Sequence, residues 1–209
     1  MHTKKCFEYR NIRLTDNLKI IGKLLYQTDP FIYPEFFGRE ENAEEIMEEV
    51  VKRNLYCFGP EHIFCAFDGK KPIAMVCTNP GGTCKWNYDV WKTMFDERSI
   101  LNQKMFDHVA DGYFEPLNEE NLDGQLYVLA VCVLKEERGR GIGTELMQRF
   151  VAQHEKERIV LDTLANNAPA VSLYESCGFE PVEYYFGFST TQSRPRCIRM
   201  ERKARRKGR

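Results

Sequence analysis

The 209-residue sequence predicts a single domain of the α/β (α+β) class, a mixed central sheet of six to seven strands flanked by helices. Three observations predict it. Short apolar runs of strand length alternate along the chain with segments whose apolar residues recur at helical spacing. The clearest boundary is at residues 126–150, where an apolar Val- and Leu-rich run meets a glycine turn and then a helical pattern. The length suits one substantial core rather than two.

The first strand is expected at residues 7–14, where Phe7, Tyr9 and Asn11 alternate with Glu8, Arg10 and Ile12. Thr15 and Asp16 are placed to cap a helix carrying Leu18, Ile21, Leu24 and Leu25 on one face, and Asp29-Pro30 should stop it. Residues 29–38 (DPFIYPEFFG) are aromatic and proline-stiffened, too apolar for an ordinary exposed loop, and read either as core packing or as a pocket lining. A helix follows at 40–53 with Ala43, Ile46, Met47 and Val50 inward and a strongly acidic outer face, which reads as solvated or as a rim that attracts a cation. Strands at 62–67 and 72–78 are joined by the turn Asp68-Gly69-Lys70-Lys71. Residues 83–123 form an insertion with helical patterning of its own around Trp91, Met94, Phe95, Ile100, Leu101, Met105, Phe106 and Val109. It is too long and apolar for a plain loop and should lie over one end of the sheet, with Trp86, Trp91 and Phe95 as roof residues. After the glycine turn come a strand at 159–162, a helix at 167–177, a closing strand pair at 182–188 and 197–201, and a basic tail at 203–209 that reads as a frayed terminus.

The turn Arg138-Gly139-Arg140-Gly141-Ile142-Gly143 carries the chemistry. The first N–H groups of a helix have no intrahelical partner, and the macrodipole adds about half a positive charge there. Glycines let a phosphate approach those groups and permit positive φ. A P-loop is excluded, since no Lys precedes Thr144. A dinucleotide-binding fold has more support, because Asp162 ends a second apolar strand at the spacing of a ribose-binding acid. Its third glycine position, however, is Thr144.

The same six residues resemble the R/Q-x-x-G-x-G/A loop of the GNAT superfamily of acyl-CoA N-acyltransferases. Residues 167–179, NAPAVSLYESCGF, are similar to that superfamily's N-x-x-A-x-x-L-Y-x-x-x-G-F signature. The resemblance implies one GNAT-like domain over residues 4–202, with the 83–123 insertion ahead of the cofactor-binding strand. It implies acetyl-CoA as cofactor and direct attack of a primary amine on the thioester. The cofactor would be held by Val131 and Val133 through their backbone groups, by Arg138, Gly139, Arg140, Gly141, Ile142, Gly143 and Thr144, and by Asn167 and Tyr174. An N–H of the same strand would face the thioester oxygen as an oxyanion donor. Tyr174 is the candidate general acid, its phenol protonating the departing thiolate. Residues 126–134 carry no acidic side chain where many relatives place a base, so Glu35, Asp107, His108 or Asp111 would serve, or no base at all. By the same resemblance Tyr33 and Phe36 line the acceptor site.

Composition narrows the partners. A net charge of −1 and a pI near 6.5 provide no global field for nucleic acid or a membrane surface. The eight cysteines are scattered without a C-x-x-C pair and read as reduced thiols, and the dispersed histidines suggest no metal site. The N-terminal MHTKKCFEYR lacks the apolar core of a signal peptide, so a cytoplasmic protein acting on a small-molecule amine is expected. A homodimer is compatible with this reading. Two other classes remain open: an acyl-CoA-binding regulatory module without turnover, and the dinucleotide-dependent oxidoreductase.

Overall fold

A computed structural model describes residues 6–81, 87–111, 124–187 and 195–205. Seven strands form one sheet in the order β1-β2-β3-β4-β5-β7-β6. They are β1 Glu8–Asn11, β2 Ile63–Asp68, β3 Lys71–Pro80, β4 Leu126–Val133, β5 Ile159–Leu164, β6 Glu180–Phe186 and β7 Arg196–Arg202. Every neighbouring pair is antiparallel except β4 and β5. A parallel pair needs a crossover, and the helix α6, Ile142–Gln153, supplies it. The other helices are α1 Leu18–Tyr26, α2 Ile32–Phe37, α3 Glu40–Lys52, α4 Tyr88–Glu97, α5 Gln103–Val109 and α7 Ala168–Ser176. With one parallel pair in a mixed sheet, the doubly wound dinucleotide fold is excluded. No helix among the described residues is long and apolar enough to cross a membrane.

Helices cover both faces of the sheet. The Val133 side chain meets Gly143 of α6, whereas its neighbour Cys132 bonds Thr28 just past α1. Successive strand residues point to opposite faces, so α1 and α6 lie on opposite sides of β4. The apolar stripe of α1 is buried as its spacing predicts, and α3 buries Ala43, Ile46, Met47, Val50 and Val51. The two helices meet closely, since a Cβ on Gly22 would stand 2.5 Å from the Ala43 carbonyl oxygen.

Three local expectations are corrected, at Asp16, at residues 29–38 and at the tail, while the helical patterning of the insertion is borne out. Asp16 does not cap α1. Its carboxylate accepts two bonds from Arg10, at 2.7 and 2.9 Å, and one from the Arg13 N–H, because a guanidinium fork is the stronger partner. Residues 29–38 are not a loop, since the Asp29 carboxylate accepts from the N–H groups of Phe31 and Ile32, both at 2.8 Å, and starts α2. The insertion provides α4 and α5, capped by Asn87 and Asn102, while Trp86 and residues 112–123 lie outside the described residues. The tail is tied as far as Arg205, whose N–H and guanidinium both bond Glu155.

Candidate cofactor and acceptor site

The site begins with a strand edge that is unpaired among the described residues. β4 pairs with β3 along its whole length but with β5 only over Leu126, Tyr127 and Val128. Beyond that point β5 continues against β7, and the two parallel strands part. A bulge in the β3–β4 ladder leaves Leu129 between Val128, opposite Thr78, and Ala130, opposite Cys77. After it, the Leu134 N–H donates to Ile73 O at 2.9 Å. Alternation then turns the backbone groups of Val131 and Val133 away from β3, toward the open side. The Val133 carbonyl accepts from Arg138 Nε at 2.9 Å, which leaves the Val133 N–H and both backbone groups of Val131 on the open edge.

The glycine turn stands at the end of that edge. Gly139 and Gly141 have φ of +76° and +75°, the left-handed region that a side chain resists. Among the described residues a Cβ on either would meet nothing within 4 Å, which leaves the space above the turn open. Gly143 has a different reason, because a Cβ there would press on Val133 Cγ2 at 3.3 Å where α6 crosses β4. The first intrahelical bond runs from the Glu145 N–H to Gly141 O, so the N–H groups of Ile142, Gly143 and Thr144 stand outside the ladder. The Ile142 side chain is buried and anchors the turn. The two arginines divide. Arg140 is engaged by Glu137 and lies 5.5 Å from the Phe7 ring. Arg138 folds back over β4, with Nη2 4.0 Å from Cys132 Sγ. The positive field for a phosphate therefore comes chiefly from the helix start and from Arg138. An open cradle, unladdered N–H groups and an unpaired edge together fit the pyrophosphate and the amide-bearing arm of a coenzyme A.

α7 brings Tyr174 to the same place. Asn167 Oδ1 accepts from the Ala170 N–H at 3.4 Å, and Pro169 presets the first turn. Tyr174 is buried, and its phenol is pushed well above the usual value, first by that burial and then by the neighbouring thiols of Cys132 and Cys177. The phenol is therefore a neutral O–H donor beside the residue between Val131 and Val133.

A polar cluster closes the vertex where β4 and β5 part. Asp162 follows Leu161, the last β5 residue paired with β4. Its carboxylate accepts from Tyr127 Oη at 2.9 Å and from Arg199 Nε and Nη2 at 3.0 and 2.8 Å. Tyr185 also bonds Asp162, and burial pushes its phenol up. The carboxylate in turn raises the Arg199 guanidinium. The sequence alone did not point to Tyr127, Tyr185 and Arg199, and it offered Asp162 a role only as the ribose ligand of the alternative dinucleotide fold. A signal was present: an acid closing an apolar strand and a tyrosine inside another both require buried partners.

The residues expected on the acceptor side are distributed differently. Tyr33 and Phe36 are 1% and 4% exposed. Phe36 packs on Phe95 at 4.7 Å and Phe106 at 5.5 Å between ring centroids. These rings are core beneath the insertion helices, where burying a large aromatic area outweighs keeping a face open to a ligand. Glu35 is exposed on α2.

A model of the Acetyltransferase (GNAT) family matches residues 23–179. A mycothiol acetyltransferase of Corynebacterium jeikeium is 40% identical over 75 residues, a match spanning 32% of this chain and 21% of that protein. An N-acetyltransferase of Staphylococcus aureus Mu50 superposes with a TM-score of 0.65 at 16% identity, over 93% of this chain and 99% of that one. A Salmonella typhimurium protein solved with its cofactor acetyl-CoA superposes with a TM-score of 0.58 at 11% identity, over 98% of this chain and 97% of its own.

Proposed function

The chain belongs to the GNAT family of acetyltransferases, whose cofactor is acetyl-CoA, and on that premise we propose that it moves the acetyl group to the primary amine of a small-molecule acceptor. One observation carries the reading: the unpaired edge of β4 runs directly into the unladdered N–H groups at the start of α6. The Ile142, Gly143 and Thr144 N–H groups hold the pyrophosphate, over the space kept clear at Gly139 and Gly141, with Arg138 beside it. Val131 and the Val133 N–H hold the extended arm as an added strand would be held. Asn167 fixes the start of α7 and so sets the height of Tyr174.

Bound acetyl-CoA supplies the activated carbonyl carbon. With that cofactor bound, Tyr174 would present its Oη–H to the leaving sulfur. Burial keeps the phenol protonated, so Tyr174 would donate a hydrogen bond to the developing thiolate and stand where the released thiol gains its proton. The proton lost by the attacking amine has a route at the vertex, to Tyr127 Oη with the Tyr127 proton passing to Asp162. The Corynebacterium relative's name, an acetyltransferase, favours turnover over binding alone.

The test is calorimetry with Gly141→Asp. The added carboxylate meets the pyrophosphate in the left-handed turn, and acetyl-CoA affinity should fall at least about tenfold, or about 1.4 kcal/mol. Unchanged affinity in a folded variant removes the loop from the cofactor site. A thiol-release screen of primary amines then identifies the acceptor, and no release with any amine leaves a binding module only.

A further inference from the structure

The far end of α6 carries a second cavity, of about 570 Å³, between the C-terminal halves of α6 and α7 and the end of β7. Its walls include Gln148, Ala152, Ser176, Gly178, Arg202 and Lys203. The twelve residues of α6 span about 18 Å, so this cavity is separate from the glycine turn at the helix start.

Arg202 is the unusual wall residue. It is 7% exposed, and its Nη1 is buried without a hydrogen-bond partner among the described residues. A guanidinium cannot shed its proton to escape burial, so it needs an anion. The carboxylates nearby are already matched or lie exposed. Glu155 pairs with Arg205 at 3.0 Å, Glu201 pairs with Arg158 at 2.6 Å, and Glu180 is exposed. Lys203 adds a second cation at the exposed rim. The buried unmatched charge of the cavity is therefore positive and sits on Arg202, its most buried polar side chain.

We propose that this cavity binds the oxyanion group, phosphate or carboxylate, of a small metabolite, seated on Arg202 with Lys203 at the mouth. The planar fork of Arg202 suits two oxygens of one oxyanion. A volume of about 570 Å³ exceeds what a bare oxyanion fills and lies in the range of small-molecule sites, so the anion is the head of a larger molecule. The site is independent of the acetyl-transfer reading.

The experiment keeps the full chain saturated with coenzyme A, so that the glycine turn is filled. Thermal unfolding is followed with inorganic phosphate and, separately, with citrate, at ionic strength matched by chloride. At ten times the apparent Kd the Tm should rise by about 3 °C or more, and the stronger probe names the head group. Arg202→Met should abolish the rise and, in anion-free buffer, unfold at or above the temperature of the parent, since it removes an unmatched buried charge. Lys203→Glu, at the exposed rim, should fold normally and weaken the apparent affinity at least about fivefold. No rise above the chloride control with either probe overturns the proposal, as does a rise retained in both variants. So does Arg202→Met unfolding well below the parent in anion-free buffer, because Arg202 would then already be matched within the folded chain.

Discussion

Tyr174 shows how one residue's environment decides its chemistry. A phenol on an exposed helix face would be an ordinary polar group, but burial beside Cys132 and Cys177 holds it neutral. Tyr174→Phe should lower kcat about a hundredfold or more while acetyl-CoA affinity stays within a factor of about two. Tyr127→Phe should also lower kcat, by at least about tenfold, because it cuts the link to Asp162. If either variant loses only thermal stability, that tyrosine is structural. The aromatic residues of α2 provide the contrast. Phe36→Ala opens a cavity among Phe37, Phe95 and Phe106 and should cost about 3–5 kcal/mol in a urea melt. Tyr33→Ala with Glu35→Gln should destabilise the fold and leave the acceptor KM unaltered. A raised KM at unchanged stability would return these residues to the acceptor pocket.

At the scale of elements, the long periodic segments were legible in the sequence. Leu18, Ile21, Leu24 and Leu25 face the core because helical spacing leaves them no other face. The glycine turn was legible too, since Gly139 and Gly141 adopt the left-handed conformation and few other residues would. α2 was not, because the proline and aromatic residues that mark a loop are tolerated in a short helix once Asp29 caps it. Nor was the closeness of α1 and α3. That contact yields its own prediction. In Gly22→Ala the new Cβ would stand within 3 Å of Ala43 and Glu44 backbone atoms, which have no rotamer to give way. Despite the better helix propensity of alanine, the variant should lose about 1–3 kcal/mol, seen as a lower urea midpoint at unchanged slope. An unchanged or raised midpoint would show that the two helices slide apart without cost.

Across the whole molecule, ion pairs give the fold a definite acid limit. Arg10 holds the Asp16 carboxyl below its ordinary value, Arg98 does the same for Glu49, and Arg158 for Glu201. A carboxylate lowered in the folded state contributes stability that is fully present above its unfolded pKa, near ~4, and is lost as pH falls through the lowered folded value. Urea midpoints should therefore hold from neutral pH down to about 5 and then fall. Asp16→Asn should remove part of that fall, and a pH profile identical to the parent's would show that the Arg10 pair adds nothing. The sequence by itself determined the strand–turn–helix unit, the two signature motifs and the sidedness of the main helices, because each is a local pattern whose period or backbone requirement admits one structure. Only the tertiary structure decided that β4 and β5 part after Val128, that Tyr127, Asp162, Tyr185 and Arg199 meet at the vertex, and that the α2 aromatics are core. These features join residues far apart in the chain, and whether a polar or aromatic side chain ends as site or as core depends on which neighbours the sheet order brings against it.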